Sequence, residues 1–197
     1  MEPRIRFSKL INFVGIDGSG KTTLCKGMIG EFQQYFSDTK YVHTYHKSIL
    51  LKPINSIVKA LFMRGTDQFA NYSKYREQKT SAIHRHRWLS RIYAFLWILD
   101  YALQTFYKVG VPLLFGERLI VDRYVYDAII NISVANNFSP KTTYRLVDFL
   151  FILFPKPGIV FLIDLPEDIA FERKNDIQSI EYLRERRHRY LLTRVGP

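Results

Sequence analysis

The sequence predicts an α/β fold in which a parallel sheet carries helices on both faces. Short apolar runs typical of buried strands alternate with longer segments whose apolar residues recur at helical spacing. The segments between successive strands are long enough for the crossover connections that a parallel sheet requires. Because the chain has 197 residues, 47% of them hydrophobic, general disorder is excluded and we expect a single domain over residues 1–197.

The strands are predicted from four short runs. Leu10–Val14 is an apolar run that ends at a glycine and is typical of a buried strand. Lys40–Tyr45 is rich in tyrosine, valine and threonine, which favour strands. Leu119–Val121 and Ile159–Ile163 are two further apolar runs, and the second follows a Pro-Lys-Pro-Gly turn signal.

Helices are predicted between these strands. Apolar residues at Leu24, Met28 and Phe32 give the segment Lys21–Phe36 the spacing of a helix packed on a sheet. The other predicted helical segments are a mostly helical stretch from Ile49 to Phe106, with one long helix over Ser81–Tyr107, then Asp127–Ala135, Thr142–Phe154, a helix opened by Pro166, and a basic closing helix over Glu181–Leu192.

The charge balance favours anionic partners. Lys and Arg number 29 against 18 Asp and Glu, a formal net charge of +11, which suits nucleotides, nucleic acid or an acidic membrane surface without choosing among them. The single cysteine, Cys25, excludes an internal disulfide framework and a multi-cysteine zinc site. No signal peptide is evident at the start, and the most apolar stretch, Ile92–Leu103, is too short to span a bilayer. We therefore expect a cytoplasmic protein without a membrane partner.

A phosphate-binding loop is predicted directly after the first strand. Residues Gly15–Thr22 read Gly-Ile-Asp-Gly-Ser-Gly-Lys-Thr, which is glycine, four residues, then Gly-Lys-Thr, between a strand and an amphipathic helix. Glycines let the loop wrap closely around a polyphosphate, and backbone amides and the helix terminus direct positive partial charge at it. Lys21 is expected to bridge the β- and γ-phosphates, and the Thr22 hydroxyl to ligate Mg²⁺. The residues expected to bind the nucleotide are Gly15, Asp17, Gly18, Ser19, Gly20, Lys21, Thr22 and Thr23. The alternative is a glycine-rich turn with no ligand.

A second motif follows the third strand, where the chain reads Asp122-Arg123-Tyr124. Ligands of an open parallel sheet bind outside the carboxyl ends of its strands, so these side chains are expected to face the same phosphates as the loop. Asp122 is a candidate Mg²⁺ ligand, directly or through water. Arg123 is a candidate for binding an acceptor phosphate through two parallel hydrogen bonds from its guanidinium group. The alternative is a structural ion pair at the end of a strand.

Taken in order, the motifs resemble thymidylate kinases. The segments that carry the resemblance, which covers roughly residues 10–192, are Phe13–Thr23, Asp122–Tyr124 with Tyr126 and Asp127, Phe161–Pro166 running to Arg173 and Lys174, and Arg184–Tyr190. The resemblance implies a three-layer P-loop kinase fold, with a five-stranded parallel sheet in the family. It also implies transfer of the ATP γ-phosphoryl group to a deoxynucleoside monophosphate, with dTMP to dTDP as the favoured reaction and ATP and Mg²⁺ as cofactors.

The resemblance also implies roles for single residues. Asp17 is expected near the acceptor sugar, and Arg123 on the acceptor phosphate. Because Gly18 and Ser19 occupy loop positions where the family can carry an arginine, arginines of a short basic lid around residues 173–188 are expected to neutralise the transferred group. The residues expected to be catalytic are therefore Lys21, Arg123, Arg173 and Arg184. For the basic helix that contains Arg184, a solvated charged face is the alternative.

The chain departs from the family pattern in three places. Thr44–Lys47 stands where the family has an arginine-proline-glycine element, so Lys47 is the candidate replacement on the acceptor phosphate. Phe95 is the candidate aromatic for the base, but no arginine stands four residues later, which leaves thymine selectivity open; a core role is its alternative. The expected fifth strand and last helix are missing, which fits a shortened variant or an incomplete chain.

Other functions stay open on the sequence alone. A kinase for another nucleoside monophosphate or for a nucleoside, and a nucleotide-binding protein without turnover, are the alternatives. A nucleic-acid partner is not expected, because anionic small ligands account for the positive residues. Since thymidylate kinases are commonly dimers, the apolar helix near Trp88–Phe106 is a candidate homodimer interface.

Overall fold

A computed structural model describes residues 8–44, 87–135, 138–174 and 176–193. These residues form a four-stranded sheet of β1 (Leu10–Gly15), β2 (Thr39–His43), β3 (Arg118–Asp122) and β4 (Ile159–Ile163). Every neighbouring pair is parallel, and the order across the sheet is β2-β3-β1-β4. The predicted α/β class with a parallel sheet is confirmed.

The helices lie between and after these strands. They are α1 (Lys21–Tyr35), α2 (Arg87–Thr105), α3 (Val111–Leu114), α4 (Val125–Ala135), α5 (Pro140–Leu153), α6 (Glu167–Glu172) and α7 (Ile180–Leu192). A π-helical turn, Phe106–Gly110, joins α2 to α3. No helix within the described ranges is both long enough and apolar enough to cross a membrane.

The predicted boundaries differ from the observed ones by a few residues. The long apolar helix ends at Thr105 and passes into the π-helical turn, because apolar spacing does not reveal where a turn takes one extra residue. The α5 helix begins at Pro140 rather than Thr142, and the Ser139 side chain accepts a hydrogen bond from the Thr142 amide at 3.2 Å as its N-cap. Most of the predicted helical stretch that starts at Ile49 lies outside the described residues.

Alternate residues of the central strands point into two cores. Leu10 and Val14 of β1 face one core together with Val121 of β3, and α4, α5 and α7 supply most of the other side chains, with Tyr101 of α2 and Ala170 of α6 among the rest. Ile11 and Phe13 face the second core, where they meet Cys25 and neighbouring apolar residues of α1. All six residues of β1 are buried, as expected for a central parallel strand covered on both faces.

The register brings the carboxyl ends of the strands to one edge. Gly15 at the end of β1 lies opposite Ile163 at the end of β4. Asp122 at the end of β3 lies opposite Phe13 on one side and His43 on the other. The loop after β1 and the polar residues that end β2 and β3 therefore share the edge at which open parallel sheets bind ligands.

Candidate phosphate-binding site

The loop after β1 depends on glycine at three positions. Gly15, Gly18 and Gly20 have φ angles of 145°, 82° and 90°, which other residues rarely adopt. A Cβ atom on Gly15 would lie 2.5 Å from the Ile163 carbonyl oxygen, and one on Gly18 would overlap the carbonyl oxygen of Ala170 in α6. The loop is therefore packed directly against the end of β4 and the backbone of α6.

Lys21 is the first residue of α1, and its side chain turns back into the loop. It is only 4% exposed, and its Nζ donates to the Ile16 carbonyl oxygen at 2.5 Å and to Ser19 Oγ at 3.3 Å. Burial lowers the pKa of Lys21, and the negative charge of Asp127 opposes this change most strongly. The ammonium group is thus held inside the loop by the loop's own oxygen atoms.

Asp122 is fully buried and contacts polar groups from two other elements, α1 and β2. Its Oδ2 accepts a hydrogen bond from Thr22 Oγ1 at 2.5 Å and from the Tyr41 hydroxyl at 3.1 Å, and His43 Nδ1 lies 3.1 Å away. Its Oδ1 is buried and has no hydrogen-bond partner within the described part of the chain. Tyr41 and His43 were not anticipated from the sequence; the period-two pattern of β2 puts both on one face of that strand, but only the register places them on Asp122.

The pair Thr22 and Asp122 fits a hard divalent cation. A carboxylate oxygen without a partner and a hydroxyl oxygen beside it are the ligand types that Mg²⁺ prefers. The described residues contain no cluster of three or more His, Cys, Asp or Glu side chains suited to a metal ion. Such a small protein donor set is typical of Mg²⁺ sites that substrate phosphates and water complete.

Arg123 reaches from the end of β3 to the loop. Its Nη2 donates to Asp17 Oδ1, and both side chains are 19% exposed. Burial by itself raises the pKa of Asp17, but the charge and hydrogen bond of Arg123, together with the charges of Lys21 and Lys174, outweigh it, and the net pKa is lower than usual. Arg123 has a left-handed φ of 67°, uncommon for a residue other than glycine. Hydrogen bonds from its amide to Phe13 O and from Thr44 Oγ1 to its carbonyl oxygen fix this conformation.

A second acid lies deeper behind the loop. Asp127 of α4 is 3% exposed, and its Oδ1 accepts a hydrogen bond of 2.6 Å from the hydroxyl of Tyr190 in α7. Its Oδ2 accepts from the Tyr124 amide at 3.3 Å. Burial raises the pKa of Asp127, while the nearby charges of Lys21 and Arg123 oppose that rise. The sequence placed Asp127 and Tyr190 in two separate motifs and gave no sign that they meet.

Two of the four arginines of the closing helix are held by carboxylates, one directly after β4 and one at the start of α6. Arg187 donates from Nε to Asp164 Oδ1 at 2.7 Å and from Nη1 to Glu167 Oε2 at 2.9 Å. Arg184 Nε donates to Glu167 Oε1 at 3.0 Å. Hydrogen bonds from its own backbone amide and from both guanidinium groups lower the pKa of Glu167 to about 2. This part of α7 is therefore bound to the start of α6 rather than freely solvated.

The remaining expected residues are dispersed. Arg173 follows α6 directly and is exposed, and its neighbour Lys174 is close enough to Asp17 to lower the pKa of that carboxyl group. Thr23 is exposed in the first turn of α1. Phe95 is 66% exposed, and no described contact joins it to the loop; it shares a helix stripe with other exposed apolar residues. Lys47 lies outside the described residues.

Comparison with known proteins bears on the fold. No protein-family model matches the sequence, and no curated protein matches it. Among solved structures, 114 chains are similar. One is the thymidylate kinase from Ehrlichia chaffeensis, which superposes with a TM-score of 0.52 at 18% sequence identity, over 92% of this chain and 83% of that chain. The chain therefore has a thymidylate kinase-like fold.

Proposed function

We propose that the protein is a nucleotide kinase that transfers the γ-phosphoryl group of ATP to a deoxynucleoside monophosphate, with dTMP to dTDP as the favoured reaction. One observation carries this proposal: the loop that holds Lys21 lies at the same sheet edge as Asp122 and Arg123. A triphosphate and a smaller anionic acceptor can therefore face one another there. The thymidylate kinase-like fold also supports the proposal of a nucleotide kinase.

The loop would hold the ATP phosphates. Its backbone amides and the start of α1 offer positive partial charge, and the Lys21 ammonium adds a full charge. That ammonium would exchange the Ile16 carbonyl oxygen, its acceptor here, for phosphate oxygens. Phosphoryl transfer asks the protein mainly for alignment and charge neutralisation, which such an arrangement supplies.

Thr22 and Asp122 would hold Mg²⁺ beside the phosphates. When bound, the ion neutralises charge on the β- and γ-phosphates. The protein would orient the Asp122 carboxylate for the ion. Thr22, Tyr41 and His43 all contact its Oδ2, which leaves Oδ1 to bind the ion or a water molecule on the ion. Mutation of either ligand is expected to weaken metal-dependent nucleotide binding.

Arg123 and Asp17 would position the acceptor. A guanidinium group has five N–H donors, so Arg123 can keep its bond to Asp17 and still present donors to a phosphate. An oxygen of the acceptor phosphate then attacks the γ-phosphorus, the new P–O bond forms, and the bond to the ADP oxygen breaks. Asp17 would face the acceptor sugar, and Lys47 is proposed as a second cation on the acceptor phosphate.

The positive charge that neutralises the transferred phosphoryl group would come from the lid. Arg173 and Arg184 are the proposed lid arginines. Arg184 is bound to Glu167, so its use in catalysis requires that it exchange this carboxylate for phosphate. Phe95 is proposed as an aromatic contact for the base, which requires that the acceptor reach the exposed face of α2.

A panel of acceptors tests this function. ATP consumption and product formation would be measured with dTMP, with the other deoxynucleoside monophosphates and with nucleosides, for the wild type and for Lys21→Ala. We expect turnover with a monophosphate, dTMP foremost, and a loss of about a thousandfold or more in Lys21→Ala with the fold intact by circular dichroism. Lys26→Ala is the matched control, because Lys26 is exposed on the same helix. Equal turnover by Lys21→Ala and the wild type would refute the role of Lys21.

Two results of the same panel favour the alternatives. Turnover with a nucleoside or with a different monophosphate identifies another kinase of this fold. Tight ATP binding without product from any acceptor identifies a nucleotide-binding protein without turnover. Salt-dependent binding to DNA or RNA would contradict the expectation that nucleic acid is not a partner.

A homodimer is proposed from the surface of α2. Ile92, Phe95, Leu99 and Leu103 recur at helical spacing and are each at least 41% exposed. Contiguous exposed apolar side chains of this kind are typical of interaction surfaces. Sedimentation of the wild type against Leu103→Glu would show the dimer as a shift to the monomer in the variant. A cytoplasmic location stays a prediction from the sequence.

A further inference from the structure

We propose that Asp127 and Tyr190 form a positioning pair that ties the closing helix α7 to the phosphate-binding loop and thereby sets the affinity for ATP. The proposal rests on the proposed function for its ligand. Neither residue is expected to touch the reacting atoms; the pair acts through Lys21 and Arg123. Three features of the structure support it: a fixed buried carboxylate, its interaction with the two cations of the site, and the attachment of α7 at a second point.

The carboxylate of Asp127 is held rigidly. Tyr190 is 4% exposed and Asp127 is 3% exposed, so the 2.6 Å hydrogen bond between them is shielded from water. The Tyr124 amide occupies the other oxygen at 3.3 Å. With a donor on each oxygen, the carboxylate has one orientation, and loss of the tyrosine hydroxyl would leave Oδ1 buried without this donor.

The fixed negative charge is joined to the chain directly after Arg123, because Asp127 Oδ2 accepts from the amide of Tyr124, the next residue. Lys21 and Arg123 are the charges that most strongly favour the ionised form of Asp127. Each of these cations has its own carbonyl or carboxylate partner at the loop, Ile16 O and Asp17. Because all of these groups are largely buried, their interactions are screened less than surface pairs and depend on small displacements. A shift of Asp127 would therefore change the positions of the Lys21 ammonium and Arg123 guanidinium groups relative to a bound phosphate.

Tyr190 connects this carboxylate to a helix that also contacts the far side of the loop. Through Arg187, α7 is bound to Glu167 at the start of α6. The backbone of α6 in turn packs on Gly18 of the loop. A third link joins Arg186 Nε to Asn131 Oδ1 of α4 at 2.9 Å. The α7 helix is thus joined on one side to Asp127 of α4, and on the other side, through α6, to Gly18 of the loop.

A purely structural role for Asp127 is the competing interpretation. Asp127 is the third residue of α4, and its side chain accepts from the amide of Tyr124, the residue before the helix, as an acid at that position commonly does. On that interpretation, loss of the Tyr190 hydroxyl lowers stability and leaves ligand affinity unchanged. The two interpretations therefore differ in ATP affinity, not in stability.

The test compares two tyrosine hydroxyls in the full chain. Tyr190→Phe removes the donor to Asp127, and Tyr124→Phe removes the hydroxyl of a second buried tyrosine, whose acceptor is Pro155 O at 3.1 Å. Calorimetric titration with ATP and Mg²⁺ gives the Kd, thermal unfolding gives the Tm, and steady-state kinetics separate KM for ATP from kcat. We expect Tyr190→Phe to raise the Kd and KM for ATP about tenfold, as loss of a hydrogen bond to a charged group would, with both variants losing similar Tm.

Each outcome is decisive. If Tyr190→Phe and Tyr124→Phe bind ATP with the same Kd, the positioning role is wrong and the pair is structural. Asp127→Asn, which keeps the shape and an acceptor oxygen but removes the charge, should also weaken ATP binding. Unchanged ATP affinity in that variant would overturn the claim that the Asp127 charge acts on Lys21 and Arg123. If the wild type binds ATP but forms no product, only the kinase proposal fails, and the Kd comparison still decides the role of the pair. If the wild type does not bind ATP at all, both proposals are overturned.

Discussion

The phosphate-binding loop and the closing helix α7 both rely on arginine–carboxylate pairs, but they hold them in different surroundings. The Arg123–Asp17 pair at the loop is 19% exposed on each side chain. At α7, Arg184 is 58% exposed and Arg187 is 29% exposed, while their partner Glu167 is 19% exposed. The same chemical pair is thus little hydrated at the loop and well hydrated at the helix. Burial, rather than residue type, decides which charges are strongly coupled to the fold.

The loop also depends on backbone geometry in a way that α7 does not. Its glycines combine positive φ angles with close approach to other backbone atoms. The α7 helix has ordinary geometry, begins with a Ser179 cap that accepts from the Tyr182 amide, and is joined to α6 by side chains. We therefore expect substitutions at the loop to have large effects and substitutions at the outer face of α7 to have small ones.

The largest effect is expected for Gly18→Ala. The substitution places a Cβ at φ 82° against the backbone of Ala170, so the free energy of unfolding should fall by about 3 kcal/mol and ATP affinity should fall with it. Gly30→Ala in α1 is the matched control, because a Cβ there meets nothing within 4 Å and should stabilise by about 0.5–1 kcal/mol. Urea unfolding of both variants measures the difference. Equal stability of the two variants would show that α6 moves freely away from the loop.

An intermediate effect is expected for Asp17→Asn, which breaks the partly buried pair with Arg123. At neutral pH the free energy of unfolding should fall by about 2 kcal/mol. The folded-state pKa of Asp17 is below its usual 3.8, so its contribution is complete above that value and is lost as the pH falls through the folded-state pKa. The difference between wild type and variant should therefore shrink below about pH 4.

Asp38→Asn provides the comparison for Asp17→Asn. Asp38 pairs with Arg118 through both carboxylate oxygens, but this pair is 39% and 29% exposed. Its loss should cost less than the loss of Asp17, because water competes for the exposed groups. A larger loss for Asp38→Asn in urea unfolding at pH 7 would contradict the argument from burial.

The smallest effect is expected for Arg187→Lys at the outer face of α7. Lysine keeps the charge but loses the fork that joins Arg187 to Asp164 and Glu167. The free energy of unfolding should fall by less than about 1 kcal/mol, and most of that loss should disappear in 1 M NaCl, roughly the concentration at which exposed charges are screened beyond 3 Å. Thermal unfolding at low and high salt measures it. A loss that exceeds that of Asp17→Asn and persists in high salt would reverse the comparison.

Much of the fold followed from local sequence patterns. The four strands, the helices α1, α4, α5 and α7 and the start of α6 were predicted to within a few residues, since strand and helix periodicities are properties of neighbouring residues. The short helix α3 was not predicted. The loop geometry was predictable for the same reason: only glycine readily accepts positive φ, and Gly15, Gly18 and Gly20 are where the backbone takes it. The π-helical turn after Thr105 was not predictable, because an extra residue in one turn leaves no clear mark in an apolar run.

The site was predictable only in part. Asp122 and Arg123 could be assigned to the loop edge, because topology alone brings the carboxyl ends of parallel strands together. The hydrogen-bond partners of Asp122 and Arg123 could not be assigned from the sequence. Arg123 meets Asp17 across 106 positions of sequence, and Tyr41 meets Asp122 across 81. Register and side-chain direction decide such pairs, and both are fixed by packing of the whole core.

By itself, the sequence determined a parallel α/β sheet with a glycine loop, a lysine and an acid–arginine motif at one edge. Only the tertiary structure decided that Tyr190 of α7 would reach Asp127 of α4, 63 positions away, and that Arg184 would bind Glu167 instead of standing free. The physical reason is the distance along the chain over which each kind of interaction acts. Backbone preferences and apolar periodicity act over a few residues, whereas a buried hydrogen bond between distant helices forms only when all the packing around it fixes both partners at once.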